Sequence, residues 1–488
     1  MSEVVSSVSI RIHGAAGEVT GSCYEVTTPY AHLLVDFGMF QGGMEQEMRN
    51  TIAPDIDFSS LDAVLVTHAH IDHCGRLGML PKLGFEGPVL ATEPTAELLP
   101  RVLTSSATLQ QTRLHENSAG TAPSSRVLAP PHLASAIPIR TAPPPVLFTH
   151  RHAERVARSL RALPFMQWEQ IAVGVEMRFL HASHVIGAAS IELRIQRTGV
   201  REPAHVIFSG DIGPMQNPLL APHQWPQQAP DLLLMESTNG ARRFPQVDQY
   251  QSLVEVLKEA RAKNQRVLAP VFALGRAQTL LQLFARASRD GILAGMPVYL
   301  DSAMAVRASD LYARHPNLLE ASAHQYCMRG MNPLHFPELH TLMSRRESEA
   351  IDRVRTACVI MAGSGFCDAG PILRHVKLAI DQPDTRLLFT GHQLDGLLGH
   401  GLLRGATRVE INGAALDVKA KIDRIEGISG HGDADDLLEW VKRMPGLPKA
   451  IALTHGSVEA REEFAAILRE HVASQVCTPQ LGEVLRVD

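Results

Sequence analysis

The segment that most constrains this chain is Leu61-Asp-Ala-Val-Leu-Val-Thr67, an apolar run that leads directly into His68-Ala-His-Ile-Asp-His73. A continuous apolar run bounded by polar residues reads as a buried strand. The sequence therefore places four strong metal donors, His68, His70, Asp72 and His73, where a buried strand ends. Alternate side chains share one side of extended backbone, so His68 and His70 point together, and the following turn brings in Asp72 and His73. Donors this dense call for more than one metal ion. Imidazole and carboxylate without thiolate suit zinc, with manganese or iron as competitors. The alternative is a solvated polar turn, and a deeply apolar strand feeding the cluster argues against it.

Composition agrees with such chemistry without proving it. The chain holds 23 histidines, against 46 lysines and arginines together, in 488 residues. That length exceeds the roughly 100–200 residues of one ordinary domain, so two or three domains are expected. The formal charge of −5 removes any case for nucleic acid held simply by a strongly basic surface, although a local basic groove is compatible with it. Six scattered cysteines with no C-x-x-C pair point to a reducing cytoplasm. No secretory signal is expected in Met1–Arg11, and no run reaches the roughly 20 apolar residues of a membrane span.

Short strands are expected at Val8–His13, His32–Asp36, Met177–Leu180, Ser190–Ile195, Val206–Ser209 and Leu232–Glu236, several of them ending in polar residues. From about Arg242 to Arg408 helical and strand patterns alternate, the mark of an α/β module with a parallel sheet. Short strands resume over Val409–Ile425, followed by a helix at Ala434–Lys442, a strand at Lys449–Thr454 and a helix at Glu459–His471. Ser105–Pro145 is rich in Ser, Ala and Pro and reads as irregular. His150-x-His152 repeats the H-x-H spacing with no other donor near it and is set aside.

Several separated motifs resemble the metallo-β-lactamase fold of hydrolases. They are His68–His73, the strand end Leu33-Leu-Val-Asp36, His184 and Asp211. Gly14-Ala-Ala-Gly-Glu-Val-Thr-Gly-Ser22, Ser183-His184-Val-Ile-Gly187 and Phe208-Ser-Gly-Asp-Ile-Gly213 resemble in particular its β-CASP branch, which includes the mRNA 3′-end cleavage endonuclease and bacterial and archaeal ribonucleases. The resemblance implies an αββα sandwich built from about 1–240 and 409–488, with an α/β β-CASP domain inserted over 241–408. It further implies two zinc ions, with manganese as the competitor. His68, His70 and His184 would hold one, Asp72, His73 and His455 the other, and Asp211 would bridge them. Asp36 would orient a ligand or the attacking water.

The metal motifs are shared with hydrolases of small esters and lactams, so they leave the substrate open. Glu236 in Glu236-Ser-Thr-Asn-Gly240, His431 in Ser429-Gly-His431-Gly-Asp433 and His455 in Leu453-Thr-His455-Gly456 match the three β-CASP motifs. The resemblance implies that Glu236 and His431 act at the scissile phosphate, and a histidine held by a carboxylate is a good proton donor for a leaving 3′ oxygen. DNA-directed relatives typically carry valine at the position of His455, so the resemblance implies RNA rather than DNA; single-stranded RNA is the expected partner. In the inserted module, Arg276, Ser364, Gly365, His392 and Gln393 are the expected RNA contacts, with amides at the helix start after Gly363–Gly370 as a phosphate cradle. Four positions depart from the family pattern: Pro371, His392, Leu397 and Gly430 stand where arginine, tyrosine, threonine and alanine are usual. Two other readings compete with a ribonuclease, a hydrolase of a small ester or thioester and an inactive RNA-processing scaffold. A homodimer is left open.

Overall fold

A computed structural model of the chain describes residues 7–42, 44–118, 124–129, 145–245, 247–391 and 393–487. These form two compact units. The first comprises the described parts of Met1–Leu114, Pro144–Arg243 and Gly430–Asp488; the second those of His115–Pro143 and Phe244–Ser429.

Two seven-stranded sheets face each other in the first unit. Strand alternation sends one set of side chains into the space between them. Ile10, Val26, Leu33, Val35 and Leu65 of one sheet meet Met177, Phe179, Ile191, Leu193, Val206 and Phe208 of the other. The outer face of the second sheet is apolar as well. Ile207, Leu233, Met235, Ile451 and Leu453 pack on Leu437, Trp440 and Val441 of the helix Ala434–Lys442 and on Phe464 and Leu468 of the helix Val458–His471. Burial on both faces explains the unbroken apolar runs.

Register then sets the ends of the strands level. His32–Val35 runs parallel to Ala63–Leu65, with Val35 opposite Leu65. In the second sheet Phe208 stands opposite Leu234, and Glu236 opposite Thr454, again in parallel strands. Glu236, which ends its strand, and Asp36, His68, Asp211 and His455, which follow theirs, therefore stand at the carboxyl ends of the sheets.

The second unit contains a wholly parallel six-stranded sheet in the order Leu339–Leu342, Val298–Asp301, Cys358–Ala362, Arg266–Pro270, Thr385–Phe389, Lys421–Arg424. Its helices include Gln249–Ala262, Arg276–Arg289 and Gly370–Ala379. The chain remains in this unit beyond the expected return at 409. Lys421–Arg424 completes the parallel sheet, and Arg408–Ile411 pairs with Ala414–Asp417 and with Ser125–Ala129.

The region expected to be irregular, Ser105–Pro145, is in part regular. A helix covers Glu93–Ser118 and a strand covers Ser125–Ala129. Leu98, Leu99, Leu103 and Ala107 form the buried stripe of that helix, spaced as a helix requires. Ser, Thr and Gln on its other positions, with Pro100 inside it, hid the period. No helix among the described residues is long and apolar enough to cross a membrane.

One buried ionic group ties three strands of the second sheet together. Glu192 is fully buried; it accepts hydrogen bonds from Arg178 Nε on one neighbouring strand and from His205 Nε2, 2.6 Å away, on the other. Removing one member of such a group leaves its partner's charge buried and uncompensated. Glu192→Ala is expected to lower the stability of the protein by about 3–5 kcal/mol, read from the shift of the urea-unfolding midpoint; a loss below about 1 kcal/mol would show that Arg178 finds another partner.

Candidate metal centre and proton-transfer pair

Close backbone contacts shape the floor of the site. The loop after His32–Val35 lies against the turn Ile71–Cys74, with Phe37 N–H donating to His73 O and Met39 N–H to Ile71 O, both at 2.9 Å. A Cβ on Gly38 would stand 1.6 Å from Asp72 O, so only glycine permits that approach. Gly213 does the same for the second sheet: its N–H donates to Ala182 O at 2.9 Å, and a Cβ there would stand 1.8 Å from Ser183 O. The first contact positions Asp72 and His73, the second His184 against Asp211.

The seven side chains expected as ligands form one cluster. His68 Nε2 and His184 Nε2 each lie 3.1 Å from His70 Nδ1. His73 Nε2 lies 3.0 Å from His455 Nε2, and Asp72 Oδ2 is 3.6 Å from that same His455 nitrogen. Asp211 spans the two groups. Its Oδ2 is 3.4 and 3.5 Å from His68 and His184, and its Oδ1 is 3.1 and 3.6 Å from His73 and His455. The donors therefore fall into the sets His68, His70, His184, Asp211 and Asp72, His73, His455, with one carboxylate oxygen facing each.

Outward-facing ring nitrogens are occupied by protein. His73 Nδ1 meets Asp36 Oδ2 at 2.7 Å, His184 Nδ1 meets Gly430 O at 2.7 Å, His455 Nδ1 meets Thr238 Oγ1 at 3.0 Å and His68 Nδ1 meets Thr67 Oγ1 at 3.1 Å. Asp36 also accepts from Thr67 N and from Thr67 Oγ1, each at 2.8 Å. Outer partners of this kind set ring orientation and leave the inner lone pairs for a cation. Imidazole nitrogens 3.0–3.1 Å apart, converging with carboxylate oxygens in two sets, offer the nitrogen and oxygen donors that a divalent ion takes. The residues present fit zinc or manganese.

Electrostatics agree. Burial holds His68 and His184 well below the ordinary histidine range, with neighbouring imidazoles adding to the effect; both are neutral, as ligands must be. Burial would also depress His73, but the Asp211 and Asp36 carboxylates overcome it and hold that ring well above its ordinary value. Burial raises Asp72, but His455 and His73 outweigh it and bring the carboxyl down to about 2. The site favours positive charge among its carboxylates.

Beside this cluster stands a second arrangement. Glu236, at the end of the strand Leu232–Glu236, accepts hydrogen bonds from Ile212 N at 2.7 Å, from Thr238 N at 3.1 Å and from His431 Nδ1 at 3.0 Å. The far nitrogen of His431, Nε2, is 3.7 Å from Asp211 Oδ2, and the ring is about one-fifth exposed. Burial lowers this imidazole, but Glu236 and then Asp211 overcome that and push it up to about 9. His431 thus stands between a fixed carboxylate and the metal-type cluster, in surroundings that favour its protonated form.

Comparisons with known proteins agree with the architecture. Residues 16–246 match the metallo-beta-lactamase superfamily, residues 277–402 the Beta-Casp domain and residues 415–479 the Zn-dependent metallo-hydrolase RNA specificity domain. A ribonuclease of Thermus thermophilus, Ribonuclease TTHA0252, is 31% identical over 91% of this chain and 92% of its own length. The chain is a β-CASP member of the metallo-β-lactamase superfamily. An RNase J-like protein of Methanocaldococcus jannaschii is 27% identical over 98% of this chain and 100% of that protein. The transcription termination factor FttA of the same organism is 28% identical over 98% of this chain and 72% of its own. A crystal structure of a protein of unknown function from Enterococcus faecalis V583 shares the fold, with a TM-score of 0.53 at 13% identity, covering 98% of this chain and all of the other.

In the β-CASP unit the expected RNA contacts are arranged in pairs. Arg276 opens the helix Arg276–Arg289, lies over the Phe272 ring at 4.6 Å, and packs so tightly on Gly391 that a Cβ there would meet its guanidinium carbon at 2.4 Å. Burial alone lowers it to about 10, and it pairs with no carboxylate among the described residues. Ser364 Oγ donates to Asp368 at 2.5 Å, and Gln393 Nε2 donates to Gly365 O at 2.9 Å. His392 lies outside the described residues. The phosphate cradle expected at the next helix start is weakened, because Pro371 has no N–H and Ile372 N–H donates to Gly363 O at 2.9 Å. His150 and His152 stand apart from the centre; His150 meets Thr108 Oγ1 at 2.8 Å, and His152 closes the cap of its own helix with Thr149. Sequence reasoning passed over Thr67, Thr238 and the carbonyl of Gly430. Thr67 and Thr238 sit inside the V-T-H and E-S-T motifs, but a carbonyl leaves no trace in sequence.

Asp36→Asn removes the charge behind His73 while preserving shape. It is expected to weaken divalent-metal binding by about 10–100-fold, measured as the free-zinc concentration at half occupancy; unchanged affinity would show that Asp36 does not support a ligand.

Proposed function

We propose that the protein is a metal-dependent ribonuclease that hydrolyses phosphodiester bonds of single-stranded RNA at a site holding two divalent ions, zinc before manganese. The observation that carries this reading is the Glu236–His431 pair beside Asp211, with His431 Nε2 turned toward the shared carboxylate. A small-ester hydrolase needs the metal donors but not this additional proton donor. Relatives named as a ribonuclease and an RNase J-like protein, and the RNA specificity domain matched over 415–479, support RNA as the substrate. Six cysteines, all free, support a reducing cytoplasm as its compartment.

His68, His70 and His184 would hold one ion, Asp72, His73 and His455 the other, and Asp211 would join both. Bound there, the ions would supply Lewis acidity toward the phosphoryl group and the attacking water. The protein's own groups do the remaining work. Asp36 fixes the His73 ring through Nδ1. Glu236, itself held by two backbone N–H groups, keeps the proton of His431 Nδ1 in place, so that Nε2 presents the other proton. That proton passes to the leaving 3′ oxygen, and general acid catalysis of this kind contributes about 10²–10⁴-fold. Arg276, Ser364 and Gly365 are proposed contacts for the RNA backbone.

Purified protein with zinc or manganese is expected to cleave end-labelled single-stranded RNA. His431→Ala should lower kcat by about 10²–10⁴-fold, and Asp72→Ala should lower metal content as well as rate. Failure of the metal-replete wild type to cleave any RNA would overturn the reading, whereas turnover of a generic thioester that survives His431→Ala would favour the small-ester alternative. A ladder from one end identifies an exonuclease and discrete internal cuts an endonuclease. The acid form of His431 is present below its pKa and lost as pH rises through it. Because Glu236 raises that pKa, Glu236→Gln is expected to move the alkaline limb of the pH–rate profile to lower pH; a limb that stays in place would assign it to another group.

A further inference from the structure

We infer that Thr238 is a positioning residue for the metal centre: its hydroxyl locks His455 into the one tautomer that turns a lone pair toward the second ion. The inference rests on the two-ion reading above and deepens it.

A threonine hydroxyl has one hydrogen to donate and lone pairs to accept with. Thr238 Oγ1 is 3.2 Å from the carbonyl oxygen of His455 and 3.0 Å from Nδ1 of the same residue. An ion on Nε2 needs that nitrogen bare, so in a neutral imidazole Nδ1 carries the proton. Oγ1 then accepts from Nδ1, and its own hydrogen goes to the carbonyl, which only accepts. The bare nitrogen, Nε2, faces His73 Nε2 at 3.0 Å, Asp72 Oδ2 at 3.6 Å and Asp211 Oδ1 at 3.6 Å. In this arrangement one hydroxyl bonds both the ring and the carbonyl of one residue and leaves Nε2 free to bind a cation.

The hydroxyl is held rigidly enough to do this. Thr238 N–H donates to Glu236 Oε2 at 3.1 Å. Ser237 N–H donates to His455 O at 3.2 Å, Ser237 Oγ donates to Thr454 O at 2.9 Å, and a Cβ on Gly456 would come within 2.4 Å of that Oγ. The turn 236–238 is therefore bonded at successive residues to the segment 454–456. His455 itself sits at φ 49°, with its N–H donating to Ala15 O at 2.8 Å; backbone in this region persists only where its surroundings over-determine it. Thr238 also differs in charge from Asp36, the outer partner of the other imidazole in its set. His73 is backed by a carboxylate, whereas His455 is backed by a neutral hydroxyl, so orientation rather than added basicity is what Thr238 supplies.

The test is zinc binding to the full-length protein, followed by competition with a chromophoric chelator and by direct metal analysis. Wild type is expected to hold two ions per chain. Thr238→Val, which keeps the shape and removes the hydroxyl, should hold one ion as tightly as wild type and the other about 10–100-fold more weakly. Thr238→Ala should show the same loss without the second γ-methyl, covering a valine variant that folds poorly. Thr238→Ser restores the hydroxyl and should restore the affinity, which a role in packing alone would not. If the valine and alanine variants keep both ions at wild-type affinity, or if serine fails to rescue, the assignment of Thr238 is wrong while the two-ion reading stands. A wild-type chain that binds fewer than two ions overturns that reading and this inference with it.

Discussion

The Asp211 carboxylate is the interaction on which the rest of the centre depends. Its two oxygens face two separate groups of imidazoles, and this is geometrically possible only if strand ends from both sheets meet at one place. His68, His70 and His73 follow a strand of the first sheet; Asp211 and His455 follow strands of the second. The apolar layer between the sheets sets the distance between those ends. Packing and chemistry are therefore one problem here. A change of register by one residue would reverse the faces of a strand and carry its terminal donor away from the shared carboxylate.

Tight approach between loops completes what the sheets begin. Gly38 and Gly213 each let one loop rest on the backbone of another where a methyl group would collide with a carbonyl oxygen. The first presses the Asp36 loop on the His70–Cys74 turn, the second presses the Asp211 loop on the Ser183–His184 turn. The same economy brings His431 close. Gly430 gives its carbonyl to His184 Nδ1, and the next residue is His431, so orienting His184 and placing the proposed acid are done by adjacent positions in the chain.

How much of this was legible in the sequence follows from the range of the interactions. The apolar run Leu61–Thr67 and the four donors after it are local, and both the strand end and the density of ligands could be read directly. His184, Asp211 and His455 are single residues far apart, and only their resemblance to an ordered family pattern singled them out. The strand Ser125–Ala129 was invisible because its partner is Arg408–Ile411, with Arg126 and Glu410 separated by 284 positions. The helix Glu93–Ser118 escaped because Ser, Thr and Gln dilute a narrow buried stripe. The return of the chain at 430 rather than 409 depends on a parallel pairing with Thr385–Phe389, which no local pattern encodes.

The excess of acidic over basic residues takes on another meaning at this centre. Three carboxylates, Asp36, Asp72 and Asp211, are gathered around buried imidazoles, an arrangement that would repel a polyanion if it carried its formal charge alone. Two divalent ions would bring about +4 to the same volume, and His431, protonated against Glu236, would add a further positive charge. The local field facing a phosphodiester would then be positive although the chain as a whole is at −5. Net charge speaks to the surface average. Chemistry at the scissile bond answers to the few groups within reach of it, and here those groups make negative charge in the protein a means of collecting positive charge at the site.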